Sequence, residues 1–165
     1  MQKFKKRIIT IITVVKNSAS TIEKCVQSVI TQNYDKIEYI VIDGNSQDGT
    51  KKILEKYKNK IDKLIIEKDK GIWDAMNKGI EIANGDIVGF LNADDFYYPK
   101  ALDLVNEYFS NNKIDFLFGS VKKYKIMHGY EPWKIKWSFG FYTSHSVGFF
   151  IKKKSQLKVG LYDLK

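Results

Sequence analysis

Three acidic stretches carry most of the chemical potential of this 165-residue chain. In the first, Leu91-Asn92-Ala93-Asp94-Asp95, an apolar run ends in an amide and two adjacent carboxylates. Like charges this close repel, so one takes up a proton unless a cation compensates. Carboxylate oxygens are hard ligands. They suit Mg²⁺ or Mn²⁺, which keep coordination positions for water and substrate phosphate. The same residues also read as an acidic turn that complements the dipole of a helix opening near Pro99. The second stretch, Asp43-Gly44-Asn45-Ser46-Gln47-Asp48-Gly49-Thr50, follows another apolar run. Asp48 has the character of a helix cap. Asp43 belongs to the apolar run itself, where its carboxylate could accept the imide N–H of a pyrimidine. The third stretch runs from Glu67 through Asp69, Gly71, Trp73, Asp74 and Asn77 to Gly79. A helix start there offers amide groups to an anion. Asp69 and Asp74 repel a bare phosphate and suit a hydroxylated sugar. An ordinary dipole-matched first turn explains the pattern equally well.

Other patterns fail as sites. Gly44-x4-Gly49-Thr50-Lys51 inverts the Lys-Ser/Thr order that a phosphate-binding P-loop needs, and Asp48 would set a negative charge beside the phosphates. No G-x-G-x-x-G follows the first apolar run, so a dinucleotide fingerprint is absent. The single cysteine, Cys25, excludes a disulfide scaffold and a multi-cysteine zinc site, and its place on an apolar helix face makes it core. His128 and His145 stand alone, without metal-ligand spacing.

The elements that must position these turns alternate. Residues 8–15, 38–43, 63–67, 86–91 and 114–119 read as strands, with helices opening near Ser20, Thr50, Gly71 and Pro99. Ser20-x-x-Glu23 predicts a capping box. Repeated β-then-α units imply an α/β fold, a mostly parallel sheet with helices on both faces and right-handed crossovers. Ligands of such sheets bind beyond the carboxyl ends of the strands, where Asp43 and Asn92–Asp95 both fall. After residue 120 the rhythm breaks. A hairpin is expected around His128-Gly129, then an irregular surface with Trp133, Trp137, Phe139 and Phe141, then one more strand over residues 147–151. No linker or repeat interrupts the chain, which predicts one domain over residues 1–165.

Charge is uneven. Residues 1–121 hold 18 basic and 17 acidic side chains, while residues 122–165 hold ten lysines against two acids, so nearly all of the net +9 sits at the end. Such a patch fits an anionic partner (nucleic acid, lipid head groups or a phosphorylated substrate), or simply solvated lysines. The longest apolar stretch, residues 8–15, is far short of the ~20 residues of a membrane span, and its threonines and closing Lys16 fit a buried strand better than a leader.

Taken in series, Thr13-Val-Val-Lys-Asn17, Glu38 through Thr50, Asp69 through Gly79 and Gly85 through Asp95 resemble glycosyltransferase family 2, the inverting nucleotide-sugar transferases of GT-A (Rossmann-like) fold. The resemblance implies a donor-binding set of Thr13, Val15, Asn17, Asp43, Asp69, Asp74, Asn77, Asn92 and Ala93, with Asp43 on the base. It implies a metal, Mg²⁺ or Mn²⁺, on Asp94 and Asp95, and an acceptor-side role for His145. The reaction implied is transfer from a UDP-sugar or related donor, with inversion, to a saccharide or lipid-linked acceptor in cell-surface polysaccharide or glycolipid synthesis. The enzyme would be hexosyltransferase-type and cytoplasmic, with its lysines holding it at the anionic inner face of the plasma membrane and no nucleic acid as partner. A basic nucleic-acid-binding module is the alternative. A nucleotidyltransferase would need a basic, Gly-rich first loop, which residues 14–18 lack. The sequence departs from the family pattern at Asn92, where an aspartate is usual, and at Met76, where many members carry a phosphate-binding arginine. The catalytic residue is unassigned. Gly160-Leu-Tyr-Asp163 resembles the turn that precedes the family's acidic base, so the base is expected beyond Lys165. Residues 1–121 would form the nucleotide-sugar half, and 122–165 the start of an acceptor-side half that reads as truncated, with little turnover expected from these residues alone.

Overall fold

A computed structural model describes residues 5–122, 126–127 and 146–164. Ile9–Val15 (β1) consists only of β-branched residues, which suit a pleated backbone, and every one is buried. Burial on both faces marks the inner strand of a parallel sheet covered by helices. Ile37–Asp43 (β2) pairs with β1 in parallel, and Lys63–Ile66 (β3) continues that side. Ile87–Asn92 (β4) pairs in parallel on the other side of β1. Between these strands run the helices Ile22–Ile30 (α1), Thr50–Lys56 (α2) and Ile72–Ile82 (α3), with Ala101–Asn111 (α4) after β4.

Side chains alternate along β1 and divide the core. Ile9, Ile11 and Val15 pack with Val26 and Val29 of α1, Leu54 of α2 and Leu102 and Phe109 of α4. Ile12 and Val14 pack with Ala75, Met76 and Ile80 of α3. Each such side chain taken from water stabilises by roughly 1.5–3 kcal/mol. Gly79 lets α3 lie close on the sheet, because a Cβ there would stand 2.4 Å from Cγ2 of Ile12.

Beyond β4 the sheet changes direction. Phe116–Phe118 (β5) is followed by the two-stranded antiparallel pair Val121–Lys122 (β6) and Ile126–Met127 (β7). Ser146–Gly148 forms a 3₁₀ turn, and Phe149–Lys152 (β8) then runs antiparallel between β4 and β5. Lys153–Val159 (α5) follows. The sheet is six-stranded, in the order β3-β2-β1-β4-β8-β5, mixed but mostly parallel, as the α/β alternation predicts.

Two local expectations change, and a third lies outside the described residues. The predicted capping box does not form: α1 begins at Ile22, where Ser18 C=O accepts the N–H groups of Thr21 and Ile22. Glu23 instead accepts the Tyr57 hydroxyl at 2.8 Å, so a tertiary contact takes the side chain that the local motif needed. For the expected hairpin, the described residues show only the antiparallel pairing of Val121–Lys122 with Ile126–Met127. His128-Gly129, where the pattern put it, lies outside the described residues, as do Trp133, Trp137, Phe139 and Phe141. The last strand starts at Phe149 rather than Val147, because residues 146–148 coil to carry Gly148 against Gly119, whose N–H donates to Gly148 C=O at 2.7 Å.

Candidate functional site

β1 sets the frame of the carboxyl rim. Its Val15 is in register with Asp43 of β2, and its Val14 with Asn92 of β4. The two acidic turns therefore flank one strand end, about 10 Å apart across two strand spacings. Asp43 is completely buried. Its Oδ1 accepts the Ser46 N–H at 2.6 Å, while Oδ2 is buried and has no hydrogen-bond partner among the described residues. A buried carboxylate oxygen left this way is costly to the fold, which makes it the atom most in need of an external donor.

The two loops beside Asp43 are laced together. Asn17, at φ 51°, donates its N–H to Ser46 Oγ at 2.8 Å, and its Oδ1 accepts the Gln47 N–H at 2.7 Å. Ser18 N–H donates to Thr50 Oγ1 and Ala19 N–H to Asp48 Oδ2, each at 2.9 Å. Asp48 also accepts from the Thr50 hydroxyl and N–H; these bonds, the hydroxyl's first, hold its carboxyl below the usual range. Asp48 therefore acts as the loop's cap. Thr13 and Val15 are buried beneath the rim, and the Thr13 hydroxyl lies 3.2 Å from that of Tyr39.

Asp69 joins Asp43 from the third loop. Its carboxylate lies on Gly44, where any Cβ would come within 2.2 Å of Asp69 Oδ2. Its Oδ1 accepts the Gly71 N–H at 3.1 Å. Glu67 N–H donates to Asp43 C=O at 3.0 Å, tying the start of this loop to β2. Asp74 faces its own helix: it accepts the Lys70 N–H at 3.0 Å, which chiefly lowers its pKa, and pairs with Lys78 at 3.2 Å. Both polar atoms of the Asn77 amide bond the backbone of Tyr162. Met76 is buried among Ile12, Ile80 and Phe90.

At the end of β4, Asn92 C=O accepts the Asp95 N–H at 3.0 Å and closes a tight turn. Beneath it lies the Cys25 thiol, 3.4 Å from the same carbonyl. Burial, with a smaller contribution from the Asp95 and Asp94 charges, pushes that thiol up to about 12, so it stays protonated and donates. Ala93 is buried, Asp95 half-buried and Asp94 exposed. Among the described residues no third acid, histidine or cysteine completes a closed metal cage. Two carboxylates at an open rim fit the donor set of Mg²⁺ or Mn²⁺ that shares its remaining positions with water and phosphate.

A cavity of about 620 Å³ adjoins Asp94 and Asp95 on the β5 side. Its walls are mostly apolar or aromatic, among them Tyr98, Leu104, Tyr108, Phe118 and Phe150, with Lys122 at its margin. None of its lining comes from β1, β2 or the Asp69 loop, so it does not reach Asp43. His145 lies outside the described residues. Ser46, like Asp48, reads from the sequence as an acceptor of N–H groups in this turn, and it accepts that of Asn17. Tyr162 is the rim partner that sequence reasoning missed, because nothing local pairs it with Asn77.

The family model "Glycosyl transferase family 2" matches residues 10–160, and the chain belongs to that family. One curated relative is the UDP-Glc:alpha-D-GlcNAc-diphosphoundecaprenol beta-1,3-glucosyltransferase WfgD of Escherichia coli. It is 32% identical over 105 residues, covering 63% of this chain and 42% of that protein. Among solved structures, S. aureus TarS 1–349 in complex with UDP-GlcNAc superposes with TM-score 0.72 at 21% identity, covering 88% of this chain and 45% of that one. The mannosyltransferase PcManGT from Pyrobaculum calidifontis, in complex with GDP-Man and Mn²⁺, superposes with TM-score 0.74 at 20% identity, covering 98% of this chain and 49% of that one. These likenesses establish the GT-A fold. The chain spans less than half the length of the curated relatives it matches.

Proposed function

We propose that this family 2 glycosyltransferase chain binds a nucleotide-diphosphate sugar, UDP-linked by preference, at the carboxyl rim and transfers its sugar to an acceptor in cell-surface polysaccharide or glycolipid synthesis. The observation that carries the reading is that Oδ2 of wholly buried Asp43 has no partner among the described residues and lies across β1 from the Asn92–Asp95 turn. An imide N–H is the donor such an oxygen lacks. Asp69, held over Gly44, is placed to accept hydroxyls of the donor's ribose or sugar. Asn92 and Ala93 form the turn that presents Asp94 and Asp95. A divalent cation, when bound there, neutralises the diphosphate and the charge that gathers on it as the nucleotide departs. Thr13, Val15 and Asn17 act through the packing and lacing that fix the Asp43 loop. Displacement at the anomeric carbon by an activated acceptor hydroxyl gives inversion.

The kind of substrate in WfgD's name supports a hexosyl transferred sugar and an acceptor carried on lipid as parts of this reading. Among the described residues no helix is long and apolar enough to cross a membrane. The lysines of residues 122–165 suit a cytoplasmic protein held at an anionic bilayer surface. Residues 1–121 then make the donor half. The four aspartates of the rim disfavour a nucleic-acid backbone there.

Calorimetric titration with UDP, GDP and dTDP, with and without Mn²⁺, tests the site. UDP is expected to bind in a Mn²⁺-dependent manner, and Asp94→Ala to abolish that dependence. An affinity indifferent to both metal and Asp94 would sink the assignment.

A further inference from the structure

Tyr162 sits where two rim-forming elements meet. Its N–H donates to Asn77 Oδ1 at 2.8 Å, and Asn77 Nδ2 donates to its C=O at 2.9 Å, a closed two-bond pairing across 85 residues of chain. Its ring stacks on Trp73 of α3, centroids 5.0 Å apart, and meets Phe90 of β4 edge-on at 6.1 Å. The chain is turned into this position at Gly160, whose φ of 107° favours glycine. Gly160 N–H donates to Gln156 C=O, and buried Gln156 returns a bond from Nε2 to Gly160 C=O, both at 2.9 Å.

The partners belong to different sides of the rim. Trp73 and Asn77 lie on the first two turns of α3, which opens directly from the loop carrying Asp69. Phe90 lies two residues before Asn92. Trp73 is 47% exposed, so it contributes little to the core, and its ring packs on Tyr162. A side-chain amide paired on both its groups with one residue's backbone fixes orientation as well as distance, and the aromatic pair adds contact on the open side.

We propose that residues 160–163 form a strap that holds the Asp69 loop against the carboxyl end of β4, with Asn77, Trp73 and Tyr162 as positioning residues. The strap takes its purpose from the donor reading above, since it keeps the base side and the cation side of one pocket at a fixed separation. Its test does not depend on that reading.

Amide hydrogen exchange on the ligand-free chain reads both loops. The Gly71 N–H is bonded to Asp69 and the Asp95 N–H to Asn92. Trp73→Ala and Asn77→Ala are expected to speed exchange at both amides by about tenfold, as well as at residues 161–163, through local opening. Trp73→Phe restores the stack and the slow exchange. Because Trp73 is half exposed, Trp73→Ala should move the thermal midpoint by only a few degrees, which separates positioning from a general loss of stability. Faster exchange confined to residues 160–164, with both rim amides unchanged, overturns the strap. So does no change anywhere. A titration of wild type and variants with UDP and Mn²⁺ runs alongside. Affinity falling about fivefold in both alanine variants supports the link to the pocket. A wild type that shows the coupled exchange but binds no UDP keeps the strap and removes the donor reading.

Discussion

The two ends of one sheet treat a buried carboxylate in opposite ways. At the amino end, Glu38 accepts the Thr10 hydroxyl at 2.6 Å, Lys63 Nζ at 2.8 Å, and the Asn84 N–H and side-chain amide at 2.6 and 2.8 Å. Lys63 also donates to Ile82 C=O. Every group there faces another group of the chain, and the knot ties the starts of β1, β2 and β3 to the end of α3. At the carboxyl end, Asp43 is buried at least as deeply but has one oxygen bonded and the other bare. Both carboxylates lie on β2, five residues apart. A closed network of this kind stabilises the fold, while an incomplete one marks where the molecule waits for something else.

That contrast can be broken from either side. Glu38→Ala should have the largest effect, a loss of about 3 kcal/mol in denaturant unfolding, because Lys63 and two donors of Asn84 lose their acceptor in a buried setting. Nucleotide affinity measured below the transition should stay as in wild type. Acid should act through the same residue. Burial pushes the Glu38 carboxyl up, but the bonds from Lys63, Thr10 and Asn84 outweigh it and bring it down to about 2. With its folded-state value below the ordinary 4.5, ionised Glu38 contributes stability that is complete above pH 4.5 and lost as pH falls toward 2. Calorimetric melts over that window should show a steeper fall for wild type than for Glu38→Gln. Asp43→Asn should do the reverse of the Glu38 variants. It keeps the Ser46 bond and removes a buried charge, so the thermal midpoint should hold or rise, while titration shows UDP binding weaker by about thirtyfold. Equal stability losses at Glu38 and Asp43 would erase the distinction between the two ends. The smallest effect belongs to Gly44→Ala, where the new methyl meets only the side-chain end of Asp69 and displaces it. Stability should change by less than ~1 kcal/mol, and UDP affinity should fall only severalfold in the same titration.

The parallel half of the fold was legible because its signals are local. The β-branched run of residues 9–15, the helical spacing of Ile22, Val26 and Val29, and the stop at Asn84-Gly85 each act within one element. The rim followed from topology, since consecutive β-α units leave their strand ends on one side. What stayed hidden depends on distant partners. Glu23 was matched to Ser20 by spacing, yet Tyr57, 34 residues on, holds it. Asn77 carries the donor-like chemistry of its motif, but its amide faces Tyr162. The antiparallel entry of β8 has no local trace, because Phe149–Lys152 reads simply as one more apolar strand.

That late strand has a consequence for how the chain is made. The four parallel strands β3-β2-β1-β4 are complete once Asn92 has been synthesised, but the outer edge of β4 and all of β5 must wait for residues 149–152. Until then a nascent chain presents the unpaired backbone of residues 87–89 beside the stranded Phe116-Leu117-Phe118, a template on which another growing chain could pair. Arrest of translation between residues 120 and 148 should therefore yield molecules that clump, whereas release after Lys152 lets the sheet close on itself.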